Sequence, residues 1–441
     1  MTRIGRQLFL LLIVIVVAVG GLCAGDSDLA LRLKSLHGVA GVKSLEPPKG
    51  YLEAFELQFT QPVDHHDLSG QTFNQRIYLS HCDPDKPMVI VTEGYAAQRN
   101  YLSEPARILK CNQIVVEHRF FGTSRPDSLP WAFLTVKQSA EDLHAITTLL
   151  KQIYRGKWVS TGVSKGGQTT CLYRYYFPDD VDVSIPYVAP INIAQEDPRP
   201  TEFLRHVGPD SVRERIREFQ LQALKEEEQA LVALDTLARE KKFNFSLGAP
   251  FVYELSVLEY PFAFWQYGGV ERAASIPRKE ATPQEIVSHL QAVVNYWMYA
   301  DDGLKFYAPF QYQAYTEMGY YTYDITDLKP LLRVLRNPSN AILAPNGMEL
   351  IYRPETFQAI NRWLRYEGKN FIYIYGENDP WIASSVQLTG VTNSIKMIKK
   401  GGNHGSRIKD LSPEQRRIVY SALGEWLGMT VQTDEPSDAN R

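Results

Sequence analysis

The chemistry this chain most plainly offers lies in a serine, an aspartate and a histidine that follow one another in that order. Gly162-Val163-Ser164-Lys165-Gly166 has the G-x-S-x-G pattern of a nucleophile elbow, with a further small residue at Gly167. A serine in that setting must sit on a strained strand-to-helix turn, and the glycines let neighbouring backbones approach it. Far downstream come Asp379, in Gly376-Glu377-Asn378-Asp379-Pro380, and His404, in Gly401-Gly402-Asn403-His404-Gly405. The trio suits acyl transfer: an imidazole takes the serine proton, while a carboxylate holds the imidazole tautomer and steadies its cation. Of nine histidines, His404 alone follows Asp379; Glu377 is the reserve acid. The oxyanion of such a reaction needs backbone N–H donors. Lys165, next after the nucleophile, should supply one, and Tyr95, in Glu93-Gly94-Tyr95 after an early strand, the other.

These residues require elements that aim them at one place. Short apolar runs at residues 87–92, 112–116, 158–161 and 181–188 read as buried parallel strands, separated by helical patterns at 101–109, 139–154 and 166–176. Residues 55–80 alternate like antiparallel strands. The strand–helix alternation predicts an α/β fold with a doubly wound, mostly parallel sheet; with the elbow it becomes an α/β-hydrolase. It stops after Pro190 and resumes with strands at 371–375 and 394–398 and a helix at 413–427. Asp379 and His404 then follow the carboxyl ends of two strands, where ligands meet an open α/β sheet. Between the two parts, residues 210–242 are charged, helical in pattern and free of Gly and Pro, which predicts a helical hairpin with a solvated face. An aromatic-rich stretch runs on to about residue 323. The expected organisation is therefore a hydrolase part over 26–194, a helical cap insertion over 195–345, the rest of the hydrolase domain over 346–429, and a polar tail over 430–441.

Three acids are candidates for contact with substrate. Glu317, in Thr316-Glu317-Met318-Gly319-Tyr320-Tyr321, lies among aromatics and is suited to a substrate ammonium, and equally to the part of a partly buried acid with hydroxyl partners. Glu93 and Glu117 each follow a strand and should face the site rim; in Glu117-His118-Arg119 the acid is equally suited to an internal ion pair, with Arg119 or elsewhere.

The 441 residues are 44% hydrophobic and 12% aromatic, enough to fill a sizeable core, and the net charge of −3 with no basic block argues against nucleic acid as a partner. Residues 1–25 have another character. Arg3 and Arg6 precede an uncharged apolar run at 8–19, and small residues follow up to Asp26. That is the layout of a secretory signal peptide with cleavage near Ala24 or Gly25, the run being short for a membrane span. Export to a periplasmic, extracellular or cell-surface location is the expectation. Cys23 raises a lipoprotein reading, against which Leu22 stands where a small residue is wanted. Export leaves Cys82, Cys111 and Cys171, which allow one disulfide, most simply Cys82–Cys111. Without C-x-x-C spacing no metal is implied, and no cofactor.

Together these motifs resemble a known group. Gln61-Pro62-Val63-Asp64-His65 with Phe73-Asn74-Gln75-Arg76, Glu117-His118-Arg119, the elbow, Thr316-Glu317-Met318-Gly319, Asp379 and His404 look like secreted proline-directed serine peptidases. The nearest branch is the bacterial prolyl tri/tetrapeptidyl aminopeptidase family; the lysosomal Pro-X carboxypeptidase and dipeptidyl peptidase II family is more distant. The resemblance spans nearly all of the mature chain. It implies a helical cap inserted before the acid, a triad of Ser164, Asp379 and His404, and short proline-containing peptides as substrates. Lys165 departs from the Gly-Gly-Ser-Tyr-Gly-Gly of the lysosomal group and favours the aminopeptidase branch. Two other readings stay open, an esterase or lipase using the same trio and a catalytically silent surface protein on the same fold. The oligomeric state is not legible.

Overall fold

A computed structural model describes residues 26–345 and 347–431. The segment read as a signal peptide, Cys23 included, and most of the polar tail lie outside the described residues.

One nine-stranded sheet organises the chain. Its strands are β1 (Val39–Leu45), β2 (Glu53–Pro62), β3 (Thr72–His81), β4 (Met88–Thr92), β5 (Asn112–Val116), β6 (Trp158–Val163), β7 (Val183–Tyr187) and, much later, β10 (Ile372–Gly376) and β11 (Ile395–Lys399). The order is β1-β2-β3-β5-β4-β6-β7-β10-β11. The first three strands pair antiparallel, and everything from β5 to β11 is parallel. The parallel strands explain their own composition. β4, β5, β7 and β10 are buried along their whole length, because helices cover both faces and leave no solvent side to alternate with. On the flanks lie α1 (Asp28–Ser35), α2 (Glu104–Leu109), α3 (Val136–Leu150), α4 (Lys165–Tyr176), α11 (Pro354–Tyr366) and α12 (Pro413–Leu427). This is the α/β-hydrolase fold.

Between β7 and β10 the chain builds a helical body of α5 (Arg199–Leu204), α6 (Asp210–Lys225), α7 (Glu227–Lys241), α8 (Ala249–Tyr267), α9 (Pro283–Val293) and α10 (Asp301–Gln313). A two-stranded ribbon, β8 (Glu196–Asp197) with β9 (Tyr320–Tyr321), closes its base. The body has its own core, in which Ile216 and Phe219 of α6 meet Ala230 and Leu234 of α7 and Val257 and Phe264 of α8. The predicted hairpin is thus α6 and α7, with an apolar seam beneath its charged face. α8 runs through Pro261, whose missing N–H leaves the carbonyl of Val257 without its helical donor. The side chain of Gln220 supplies the bond from α6, 2.8 Å to that oxygen, so the helix continues.

Candidate active site

Ser164 stands between the end of β6 and the first turn of α4 with φ 57° and ψ −122°. A non-glycine residue reaches that region only when its surroundings impose it. Here they do so by close packing. A Cβ on Gly162 would lie 2.3 Å from the carbonyl of Gly166, and one on Gly166 would lie 2.6 Å from the Thr92 oxygen. Strand and helix therefore cross with no room for side chains, and the serine takes up the strain. Its own N–H donates to Tyr187 O at 2.9 Å.

Asp379 begins the short turn after β10 and is fully buried. One carboxylate oxygen lies 2.7 Å from His404 Nδ1; the other accepts the N–H of Trp381 at 3.2 Å. On the far side of the ring, His404 Nε2 is buried and has no hydrogen-bond partner among the described residues. The histidine loop is held from the helical body: the N–H of His404 donates to Gln266 O at 2.9 Å, and Asn403 Nδ2 to Gly268 O at 2.9 Å, both at the end of α8. Asn403 Oδ1 accepts the N–H of Gly405 at 2.9 Å. Ser164 and His404 line one cavity of about 490 Å³, walled below by the sheet and above by α8 and α10. A buried carboxylate behind an imidazole, whose open nitrogen shares a cavity with a strained serine, can activate that serine for attack on a carbonyl.

The residues match the family model described as PS-10 peptidase S37 over 24–441. The chain belongs to peptidase family S37. It is 32% identical over 424 residues to the prolyl tri/tetrapeptidyl aminopeptidase of Streptomyces mobaraensis, covering 93% of this chain and 88% of that one. Among the solved structures that this chain is similar to are a proline iminopeptidase of Mycobacterium smegmatis (TM-score 0.35, 14% identical, 84% of this chain and 97% of that one) and a putative lipase of Acinetobacter baumannii (TM-score 0.38, 14%, 91% and 97%). This S37 protein is accordingly a serine peptidase. No helix among its described residues is long and apolar enough to cross a membrane.

Tyr95 and Lys165, the expected oxyanion residues, both line the cavity that holds Ser164 and His404. A Cβ on Gly94 would sit 2.6 Å from Lys165 Cβ, so the loop before Tyr95 presses on the first turn of α4. The amide of Lys165 opens that helix, where backbone donors are left over. Its side chain holds a feature the sequence did not disclose. Lys165 Nζ is buried without a hydrogen-bond partner, 5.7 and 5.4 Å from the ring centroids of Tyr95 and Phe121, and burial pulls its pKa well below the usual lysine value.

The three acids singled out from the sequence are placed elsewhere. Glu317 sits in a π-helical turn after α10, points to the start of α3 and accepts the N–H of Val136 at 2.8 Å; it does not line the cavity. The chain turns at Gly319 (φ +72°), and Gly319, Tyr320 and Tyr321 reach the cavity in its place. Glu93 accepts the hydroxyl of Tyr101 at 2.6 Å and also lies off the cavity. Glu117 is a loop organiser. Completely buried, it accepts N–H groups from Ala97, Thr123 and Ser124 at 2.9–3.0 Å and stands 3.6 Å from Arg76. Its ion pair is therefore not with Arg119, which grips Asp142 through two bonds of 2.7 Å. Glu377 accepts the N–H of Gly401 and leaves the histidine to Asp379. Cys82, Cys111 and Cys171 carry free thiols, so the Cys82–Cys111 bridge is not formed.

The acid that does open on the cavity is Glu259 of α8. It accepts the hydroxyl of Tyr321 at 2.7 Å and that of Tyr323 at 3.0 Å, and burial raises its pKa to about 7. In the sequence it stands directly before Tyr260-Pro261, as an acid in an apolar and aromatic run, with no motif to mark it.

Proposed function

We propose that this S37 peptidase is an exported exopeptidase that removes short peptides ending in proline from a free N-terminus, through a Ser-His-Asp acyl-enzyme mechanism. Ser164 Oγ attacks the carbonyl of the proline residue while His404 Nε2 takes its proton. Asp379, on Nδ1, holds the tautomer and stabilises the imidazolium. The amides of Lys165 and Tyr95 receive the developing oxyanion. The imidazolium then returns its proton to the leaving amine, and water hydrolyses the ester by the same relay.

The observation that carries the mechanism is the unpartnered Nε2 of His404, opposite its 2.7 Å bond to Asp379 and in one cavity with Ser164. The substrate class is supported by the aminopeptidase relative, and export by the composition of residues 1–25. The test is mass spectrometry of products from a mixed peptide library, each sequence present with a free and an acetylated N-terminus, with Ser164→Ala as control. Cleavage after proline, confined to free-amine peptides and absent in the variant, is the expected result. Cleavage of acetylated peptides, or ester turnover without peptide turnover, would replace this reading with an endopeptidase or an esterase.

A further inference from the structure

We infer that Glu259, backed by the hydroxyls of Tyr321 and Tyr323, is the site that receives the α-ammonium of the peptide substrate. The inference rests on the exopeptidase reading above and assigns the group that would make the enzyme require a free N-terminus.

The first ground is position. Glu259 lines the same cavity as Ser164 and His404, and it is carried by the helix whose last turn holds the histidine loop. The second is an unbalanced charge. A carboxylate removed from water is costly unless it is paired, and those in protein interiors are paired as a rule. Glu259 has phenol hydroxyls for partners and no cation acting on it among the described residues. The basic residues that share its cavity are engaged otherwise. Arg407 lies over the ring of Tyr187 and donates to the carbonyls of His404 and Ser406, and Lys165 is boxed by Tyr95 and Phe121. The third ground is the wall around it. The rings of Tyr320 and Trp381 line the same space, and a cation gains from aromatic faces once water is excluded. Acceptors are also in surplus nearby: Asn192 and Gln311 line the cavity, and their Oδ1 and Oε1 atoms are buried without a donor among the described residues. A primary ammonium brings the three N–H donors and the positive charge that this part of the cavity lacks. Glu317 makes the contrast plain. It is more deeply buried and its pKa is raised as far, but its carboxylate holds a backbone N–H and does not line this cavity.

The test compares Glu259→Gln with wild type on matched fluorogenic peptides, one beginning with a free alanine and its twin beginning with a propionyl group, which deletes the amine and little else. A charge-assisted contact of this kind is worth roughly 1.5–3 kcal/mol, or about 10–150-fold in affinity. The expected result is a loss of that size in kcat/KM for the free-amine peptide, mainly through KM, with the residual turnover of the propionyl peptide, slow already in wild type, changed less than about threefold. Equal losses on both, or no loss on the first, would overturn the assignment. Calorimetric binding of the free-amine product to Ser164→Ala, with and without Glu259→Gln, reads the same contact without turnover and separates it from damage to the catalytic groups. If wild type cleaves neither peptide, the exopeptidase reading falls and the assignment with it; if wild type cleaves the free-amine peptide, only the assignment is at stake.

Discussion

Glu259 and Glu317 have the same side chain and the same displaced acidity, both raised by burial to about 7, yet they differ in what they face. Because each native pKa lies above the unfolded value, the folded protein binds the proton more tightly. The stability so gained is complete below about pH 4.5 and is lost as pH rises through about 7. Glutamine at either position keeps an acceptor and removes the charge. Each variant should therefore melt above wild type at pH 8, by about 1 °C for every kcal/mol recovered in a chain of this size, and level with it at pH 4.5; a melting series across pH reads both. Only Glu259→Gln should also change the preference for free-amine peptides. Ser164, Asp379 and His404 were legible because spacing and strand ends constrain them. The carboxylate that opens on the cavity was not, since composition says that an acid lies among aromatics but not which way it points. A π-helical turn and one glycine with positive φ turned Glu317 away.

At the scale of the element, α8 matters most, and it was the hardest to read. An interior proline usually ends a helix, so residues 249–267 did not present themselves as one continuous rod. The bond from Gln220 to the Val257 carbonyl comes from another helix and leaves no local trace. Gln220→Ala should orphan that buried oxygen and cost about 1–3 kcal/mol of stability, measurable by denaturant unfolding, with little effect on activity in the folded fraction. The carboxyl end of the same helix suspends the loop of His404 through Gln266 and Gly268. Asn403→Ala removes the side-chain half of that suspension and the acceptor for Gly405. A small displacement of a catalytic group is costly, so kcat should fall by roughly 10–100-fold while KM moves little. A change in KM alone would show that Asn403 serves binding instead. By contrast, the parallel strands and α12 were plain from their apolar runs and periodicity.

Over the whole molecule, the helical body leaves the sheet after β7, returns at β10 and roofs the serine. The return was visible in the sequence as a lapse and resumption of strand–helix alternation. The cavity, about 490 Å³, was not, because it exists only between elements distant along the chain. A space of that size suits the short peptide end proposed as substrate. Moving proline stepwise away from a free N-terminus should therefore produce a sharp cut-off in cleavage, read from product masses; a gradual decline would argue for an open groove. The suspension of the His404 amide from a carbonyl of α8 also bears on descent and engineering. In many enzymes a roof can be exchanged as a module while the floor keeps the chemistry. Here the roof owns part of the floor's geometry, so a chimera bearing a foreign roof would misplace its histidine unless it also inherited a helix ending that offers carbonyls where Gln266 and Gly268 now stand.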